Sequence, residues 1–268
     1  MPIRTAIALL FCLAAAAAGP QPPSPEEQQR VIETARRAAL AYDQTLPDFL
    51  CAEAVSRYSD PTGEGRYWSP VDSLMVLLSY YGREEHYSLA QFNRQPDSEA
   101  YDSLPGATTR GEFGAMLRRV FDPAFAAEFD WHGYEDFRNM HVQVYSYKVS
   151  RKRSTFSLIY TKGRKTGQIR AGYHGLVYIS PLTGAALRIT TEVDDLDDFQ
   201  VSFASTTLDY GYSTIAGSSY LLPLQAVTLM HAGEVMTKNV VDFKSYQKFD
   251  AGAEVHYTDT EESVDKLR

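Results

Sequence analysis

The sequence predicts a mostly β fold of the α+β class: one strongly curled antiparallel sheet of roughly ten to twelve strands, with a helix before it and a second helix inserted among its early strands. Three observations carry this. From Phe49 to Phe249 the apolar residues recur mainly at every second position, the period of a half-buried strand. The stretch Tyr173 to Thr190 sets two β-rich runs around Pro181-Leu182-Thr183-Gly184, and Gly184 can take the positive φ that a tight reversal needs. Helical spacing occurs in two stretches, behind capping boxes at Ser24/Glu27 and Thr109/Glu112, where hydroxyl and carboxylate satisfy free backbone donors.

In chain order, residues 19–23 form a Pro-rich spacer. The first helix is expected over 24–45, with Pro25 at the first helical position and Val31, Ala35, Ala38 and Tyr42 on one stripe, ending before Leu46-Pro47. Strands follow at 49–58, 71–81 and 87–92, turned by Asp60-Pro61-Thr62-Gly63 and by Gly82-Arg83-Glu84-Glu85. The strand from Val71 has Val71, Met75 and Leu77 on one face and Leu74, Val76 and Leu78 on the other. Such a strand expects cover on both faces, one of them from a helix. After a polar loop at 93–107, the inserted helix is expected over 110–121. Its Phe113, Met116, Leu117, Val120 and Phe121 make a wide apolar face, and Asp122-Pro123 stops it. Further strands are read at 129–134, 142–149, 155–160, 201–212, 220–230 and 235–249, besides the 173–190 hairpin. Basic turns occupy 150–153 and 161–166, and an acidic loop occupies 194–198.

The 268 residues, 44% hydrophobic, suffice for one core without disulfides or metal. Met1-Pro2-Ile3-Arg4, a short apolar run and five alanines have the form of a signal peptide over 1–18. One domain is expected over 19–250, and a charged tail over 251–268. No later stretch is long and apolar enough for a membrane span, so the mature chain is expected in the periplasm or outside the cell, in one reading peripheral to the outer membrane. Loss of Arg4 makes it one unit more negative than the −8 of the whole chain. That charge argues against nucleic acid as a partner and against unassisted binding to an anionic bilayer. Cys12 leaves with the signal, and Phe11 before it is too bulky for lipoprotein processing. Cys51 then stands alone in the apolar setting Leu50-Cys51-Ala52 and is expected to be buried and inert.

Catalytic patterns are weak. The six histidines have no partner at metal-ligand spacing; a site from His132, His141 and His174 would have to be assembled across strands. Asp194, Asp195, Asp197 and Asp198 lack the order of a calcium loop. Gly217-Ser218-Ser219 lies in a hairpin and not at a strand-to-helix elbow, and the glycine-rich nucleotide motifs are missing. No catalytic residue, metal or cofactor is therefore assigned. The two basic turns suit either an acidic partner or a sheet edge kept from pairing.

The order of elements, together with Gly175-Leu176-Val177-Tyr178-Ile179-Ser180-Pro181-Leu182-Thr183-Gly184 ahead of Arg188-Ile189, resembles the lipoprotein-carrier (LolA/LolB-like) superfamily. Leu46-Pro47-Asp48-Phe49-Leu50-Cys51 is similar to the opening motif of uncharacterised exported bacterial proteins of this kind. The resemblance implies an open half-barrel that binds acyl chains under a helical lid. The function it suggests is non-enzymatic: binding a lipid, a lipoprotein or an apolar segment in a cavity lined by Leu74, Met75, Val76, Phe113, Met116 and Phe121. Two alternatives remain, a structural or sensor module that meets an exported protein partner at its sheet edge, and an exported hydrolase.

Overall fold

The computed structural model describes residues 21–97, 113–162, 165–196 and 200–249. The expected signal peptide, the Thr109 capping box and the expected charged tail lie outside them. Helix α1 runs Pro25–Thr45, with the Ser24 hydroxyl accepting from the Glu27 amide at 3.2 Å. Strands β1 (Phe49–Asp60), β2 (Ser69–Tyr81), β3 (Glu84–Phe92) and the short β4 (Gln95–Pro96) precede helix α2 (Ala115–Phe121). After it come β5 (Glu128–Phe137), β6 (Met140–Val149), β7 (Ser157–Lys162), β8 (Lys165–Arg170), β9 (Tyr173–Ile179), β10 (Ala186–Val193), β11 (Val201–Ile215), β12 (Ser218–Ala232) and β13 (Val235–Lys248).

Eleven of these strands form one antiparallel sheet in the order β4-β3-β2-β1-β13-β12-β11-β10-β9-β6-β5, while β7 and β8 pair only with each other. The sheet is thus a meander joined in its middle by its first and last long strands: Val55 lies opposite Val241 and Asp60 opposite Met236. Tight reversals at Gly82-Arg83 and Ala216-Gly217 have two successive residues at positive φ, the twist that suits a two-residue hairpin. Asn93-Arg94 and Arg138-Asn139 do the same without glycine.

The sheet is curled, and α2 shows by how much. The Phe113 amide donates to Glu85 of β3 at 3.2 Å, and the Phe121 ring stacks on Phe129 of β5 at 5.7 Å. β3 and β5 are second and eleventh in the sheet, nine strand spacings or about 43 Å apart if flat. The segment from Phe113 to Phe121, two non-helical residues and a seven-residue helix, is at most about 16 Å long. A sheet whose distant strands meet so short a segment has to wrap around it. The result is an open half-barrel of the mostly β, α+β kind, with both helices against its inner face.

One core cluster accordingly draws side chains from α1, α2 and most of the sheet, including Val31, Tyr42, Phe49, Val76, Leu117, Val177, Leu208 and Val241. Cys51 belongs to it, at 1% exposure. The helix stripes differ from the expectation in detail. Ala38 is exposed, and Ile32 and Ala39 join Val31, Ala35 and Tyr42 in the core. On β2 only Leu74, Val76, Leu78 and Tyr80 are buried, whereas Met75 and Leu77 are half-buried and Val71 is 57% exposed. The helices cover one face of this strand, and its other face is the outside of the curl. The inserted helix is shorter than expected: Phe113 and Gly114 precede it with non-helical backbone, and Gly114 stands at φ +135° against Asp43 of α1.

Candidate functional site

The six residues expected to line a cavity divide by the pleat of β2 and by the position of α2. Leu74 and Val76 point inward and are buried, as are Phe113 and Phe121 at the two ends of the α2 segment; all four sit in the main core. Met116 is half-buried against the same core, where its sulfur accepts from the Thr191 hydroxyl at 3.5 Å. Met75 lies on the opposite face of β2, across from Ala54 and Gln91. A period of two sends neighbouring side chains to opposite faces, so the six do not share one surface.

Helix α2 is held from several sides. Phe113 is surrounded by the rings of Phe49 at 5.1 Å, Phe243 at 5.6 Å, Tyr246 at 6.2 Å and Tyr80 at 6.4 Å. The Arg36 guanidinium donates to the Phe121 carbonyl at 3.1 Å, and the Tyr173 hydroxyl donates to the Arg119 carbonyl at 2.8 Å. Arg118 forms an ion pair with Asp43, which fastens α2 to α1. Further along the inner face, Arg57 pairs with Asp72 through two hydrogen bonds, both side chains being nearly buried.

A groove of about 220 Å³ opens beside this junction. One wall is α1, through Ala35, Ala38, Ala39, Ala41, Tyr42 and Thr45; the others are Leu117 of α2, the turn Thr183 to Ala186, Tyr212 of β11 and Leu221 of β12. None of the six expected residues lines it. Small side chains keep the groove open, since alanine on α1 leaves a gap that a larger residue would fill. At one point α1 meets the turn with no gap: Gly184 has φ +73°, and a Cβ there would come within 2.8 Å of Thr34. Leu117 and Tyr42 belong both to the groove and to the core, so the floor of the groove is the surface of the core.

Titratable groups near the groove favour a neutral interior. Burial raises the Tyr42 phenol well above its usual pKa, with Tyr210 adding to it, and the Tyr42 hydroxyl donates to the Leu221 carbonyl at 2.9 Å. Tyr173, outside the groove's lining but bonded to α2, is likewise pushed up to about 12 by burial. Walls of alanine, leucine, threonine and neutral tyrosine can hold an uncharged apolar group by shape and dispersion.

The histidines are not brought together. His174 lies opposite Lys148 on β6, seven residues from His141 on the same strand, about 23 Å along it. Each has its own acid, His174 with Asp194 at 2.7 Å and His141 with Asp136 at 3.0 Å. Among the described residues no three histidine, cysteine or acidic side chains are grouped as a metal site, and no helix is long and apolar enough to cross a membrane. Of the acidic loop, Asp197 and Asp198 lie outside the described residues.

No protein-family model matches the chain, and no curated protein matches its sequence. Among solved structures it is similar to a DUF1329 family protein from Desulfovibrio piger, at 12% identity and a TM-score of 0.41, over 84% of this chain and 95% of that one. It is similar also to a putative outer membrane lipoprotein-sorting protein domain from Vibrio parahaemolyticus, at 12% identity and a TM-score of 0.39, over 84% and 94%. A LolA superfamily protein from Nitrosomonas europaea follows at 10% identity and a TM-score of 0.34, over 83% and 93%.

Proposed function

We propose that this chain is an exported, non-enzymatic binding protein that holds a lipid, the acyl part of a lipoprotein or another apolar segment between its curled sheet and its two helices. The observation that supports this best is the groove, with uncharged walls, at the place where α1, α2 and the sheet converge. An apolar cavity of about 150 Å³ takes up a benzene-sized ligand, while larger ligands occupy roughly 300–1,000 Å³. The groove lies between these, so it accepts the end of an acyl chain as it stands and a longer stretch once α2 shifts. A helix of seven residues has little stability of its own and depends on the contacts that hold it. Its displacement would bare Phe113, Met116 and Phe121 opposite Leu74 and Val76, the proposed inner lining; Met75, facing outward, is not part of it.

The test is uptake of a neutral fluorescent apolar probe by the mature protein, with mass spectrometry of lipids that co-purify with it. Ala38→Trp fills the groove from an exposed helix position and should abolish probe binding with little change in stability. Equal probe binding by this variant, or no probe and no lipid bound by the parent protein, would refute the reading.

A second reading has its own support. The sheet ends at β5, a strand of ten residues with one side unpaired within the sheet, and an extended segment of a protein partner can add to such an edge. Cross-linking from β5 to a captured exported protein, with an empty groove, would favour it.

A further inference from the structure

Helix α1 pairs its charges unevenly. Three of its acids each hold a cation: Glu27 holds Arg30 at 3.5 Å, Glu33 holds Arg36, and Asp43 holds Arg118 of α2. Arg37 differs. It is exposed, and its guanidinium donates to a neutral acceptor, the Thr34 hydroxyl, at 3.3 Å, while that hydroxyl donates to the Arg30 carbonyl at 2.8 Å. Among the described residues no carboxylate pairs with Arg37. A guanidinium has several N–H donors in one plane, so a single bond to Thr34 leaves most of them directed at solvent.

Position makes this cation part of the groove. Going round the helix at 3.6 residues per turn, Ala41 and Thr34 fall between Arg37 and Ala38, and Ala38 and Ala41 line the groove. Thr34 itself abuts Gly184, another lining residue, its backbone 2.8 Å from where a Cβ on Gly184 would stand. The Arg37 guanidinium, bonded to Thr34, stands at the rim where α1 meets the turn. Glu33 lies on the far side of Arg37 from the groove and is taken up by Arg36 and by the Gln29 amide at 3.2 Å. Within the groove the lining is alanine, glycine, leucine, threonine and tyrosine, with no charged residue. Its polar side chains are largely occupied: the Thr45 hydroxyl donates to the Tyr42 carbonyl at 2.7 Å, and the Thr183 hydroxyl accepts from the Ala185 amide at 3.2 Å. The groove is apolar inside and positive at its rim.

We propose that the ligand of this groove is an anionic amphiphile, an alkyl or acyl chain seated between α1, α2 and the 183–186 turn, whose carboxylate or phosphate head is held by Arg37. The proposal rests on the binding function put forward above and narrows it to one class of ligand. Uncharged walls hold the chain by shape and dispersion and do not distinguish one head from another. The planar fork of a guanidinium does distinguish them: it matches a carboxylate or a phosphate with two parallel hydrogen bonds, leaves a neutral head without gain, and repels a cationic one. The net charge of −8 does not oppose this, because charges beyond about 8 Å are largely screened at physiological salt and the acids on the neighbouring segments are engaged. Asp43 is held by Arg118, and Asp209, near Tyr212 in the chain, is held by Arg138 and Arg188.

The test is calorimetric titration of the mature protein with four probes of one chain length, decanoate, decyl phosphate, decanol and decyltrimethylammonium, each kept below its micellar concentration. The two anions are expected to bind more tightly than decanol by about two- to fivefold, the worth of an exposed ion pair, and decyltrimethylammonium more weakly than decanol. Raising the salt should shrink these differences and leave decanol unchanged. Arg37→Gln should bring the anions down to decanol, and Arg37→Glu should reverse the order; both positions are exposed, and thermal melts check that the variants fold. Lys152→Gln, exposed and at the opposite end of β9 from the 183–186 turn, should keep the parent's preference. A stronger response to decyl phosphate identifies a phospholipid-type head, and a stronger response to decanoate a fatty acid. Decanol and the anions bound equally by the parent, a preference that survives Arg37→Gln, or anion binding unchanged in Ala38→Trp would overturn the proposal while decanol binding keeps the groove standing. No binding of any of the four probes would overturn both.

Discussion

Truncating Phe113 to alanine tests whether the α2 segment is a packed part of the core or a loosely seated lid. The side chain is 2% exposed and touches four aromatic rings contributed by β1, β2 and β13. Removing a buried phenylalanine costs about 3–5 kcal/mol through lost transfer energy and the cavity left behind. Aromatic pairs add about 0.5–1.5 kcal/mol each beyond buried area, so four neighbours place Phe113→Ala at about 4–5 kcal/mol. Met116 is half-buried, and Met116→Ala should cost about 1–2 kcal/mol, below the range for a fully buried site. Urea denaturation followed by tyrosine and tryptophan fluorescence reads both, with the slope unchanged if only stability moves. In a melt, each kcal/mol corresponds to about 2–4 °C for a domain of this size, so Phe113→Ala should melt about 8–20 °C lower. A loss under about 2 kcal/mol for Phe113→Ala would refute the packing argument and show that the segment is already loose in the parent protein. Probe uptake on the same variants completes the test: with a filled core and no ligand, the midpoint falls and there is no binding to lose.

Three further outcomes are expected. Gly184→Ala should destabilise by about 2–3 kcal/mol, because it combines a left-handed φ with a Cβ 2.8 Å from Thr34; Gly217→Ala, at φ +83° with open space around it, should cost only about 1–2 kcal/mol, and equal losses in denaturant titrations would contradict the close approach of the turn to α1. Cys51, 1% exposed, should react slowly with a thiol reagent in the native protein and fast in denaturant, so rapid native labelling would displace it from the core. The Asp60 carboxylate accepts from the Thr62 hydroxyl and from the amides of Thr62, Arg66 and Tyr67, and these bonds, the Thr62 hydroxyl first, hold its pKa well below the usual carboxylate range. Because the folded value is the lower one, this stabilisation is complete above about pH 4 and lost as pH falls further; the advantage of the parent over Asp60→Asn should therefore be constant near neutrality and shrink in acid, and one that grows in acid would reverse the assignment.

Local chemistry made much of this fold legible in the sequence. The Ser24 cap, the hairpin turns at Gly82, Gly184 and Gly217 and the period of two along β1, β2 and β10–β13 depend on residues close together in the chain, and a mostly β fold with two helices followed from them. Where alternatives were locally equal, the sequence could choose wrongly. Helical spacing put Ala38 on the apolar stripe beside Ala35 and Tyr42, and docking on the sheet instead buries Ala39 and leaves Ala38 over the groove. Strand β8, Lys-Thr-Gly-Gln-Ile-Arg, is too polar to declare itself and is a strand because β7 pairs with it. The pairing of β1 with β13 joins residues nearly 200 positions apart, beyond the reach of any local signal, and without it the sheet would have no continuous inner face. The candidate site is the clearest case. The large apolar residues of β2 and α2 were visible because they fill space, and most of them proved to be core. The groove is space left unfilled where α1, α2, a turn and two strands meet, and a void belongs to none of those segments until packing brings them together.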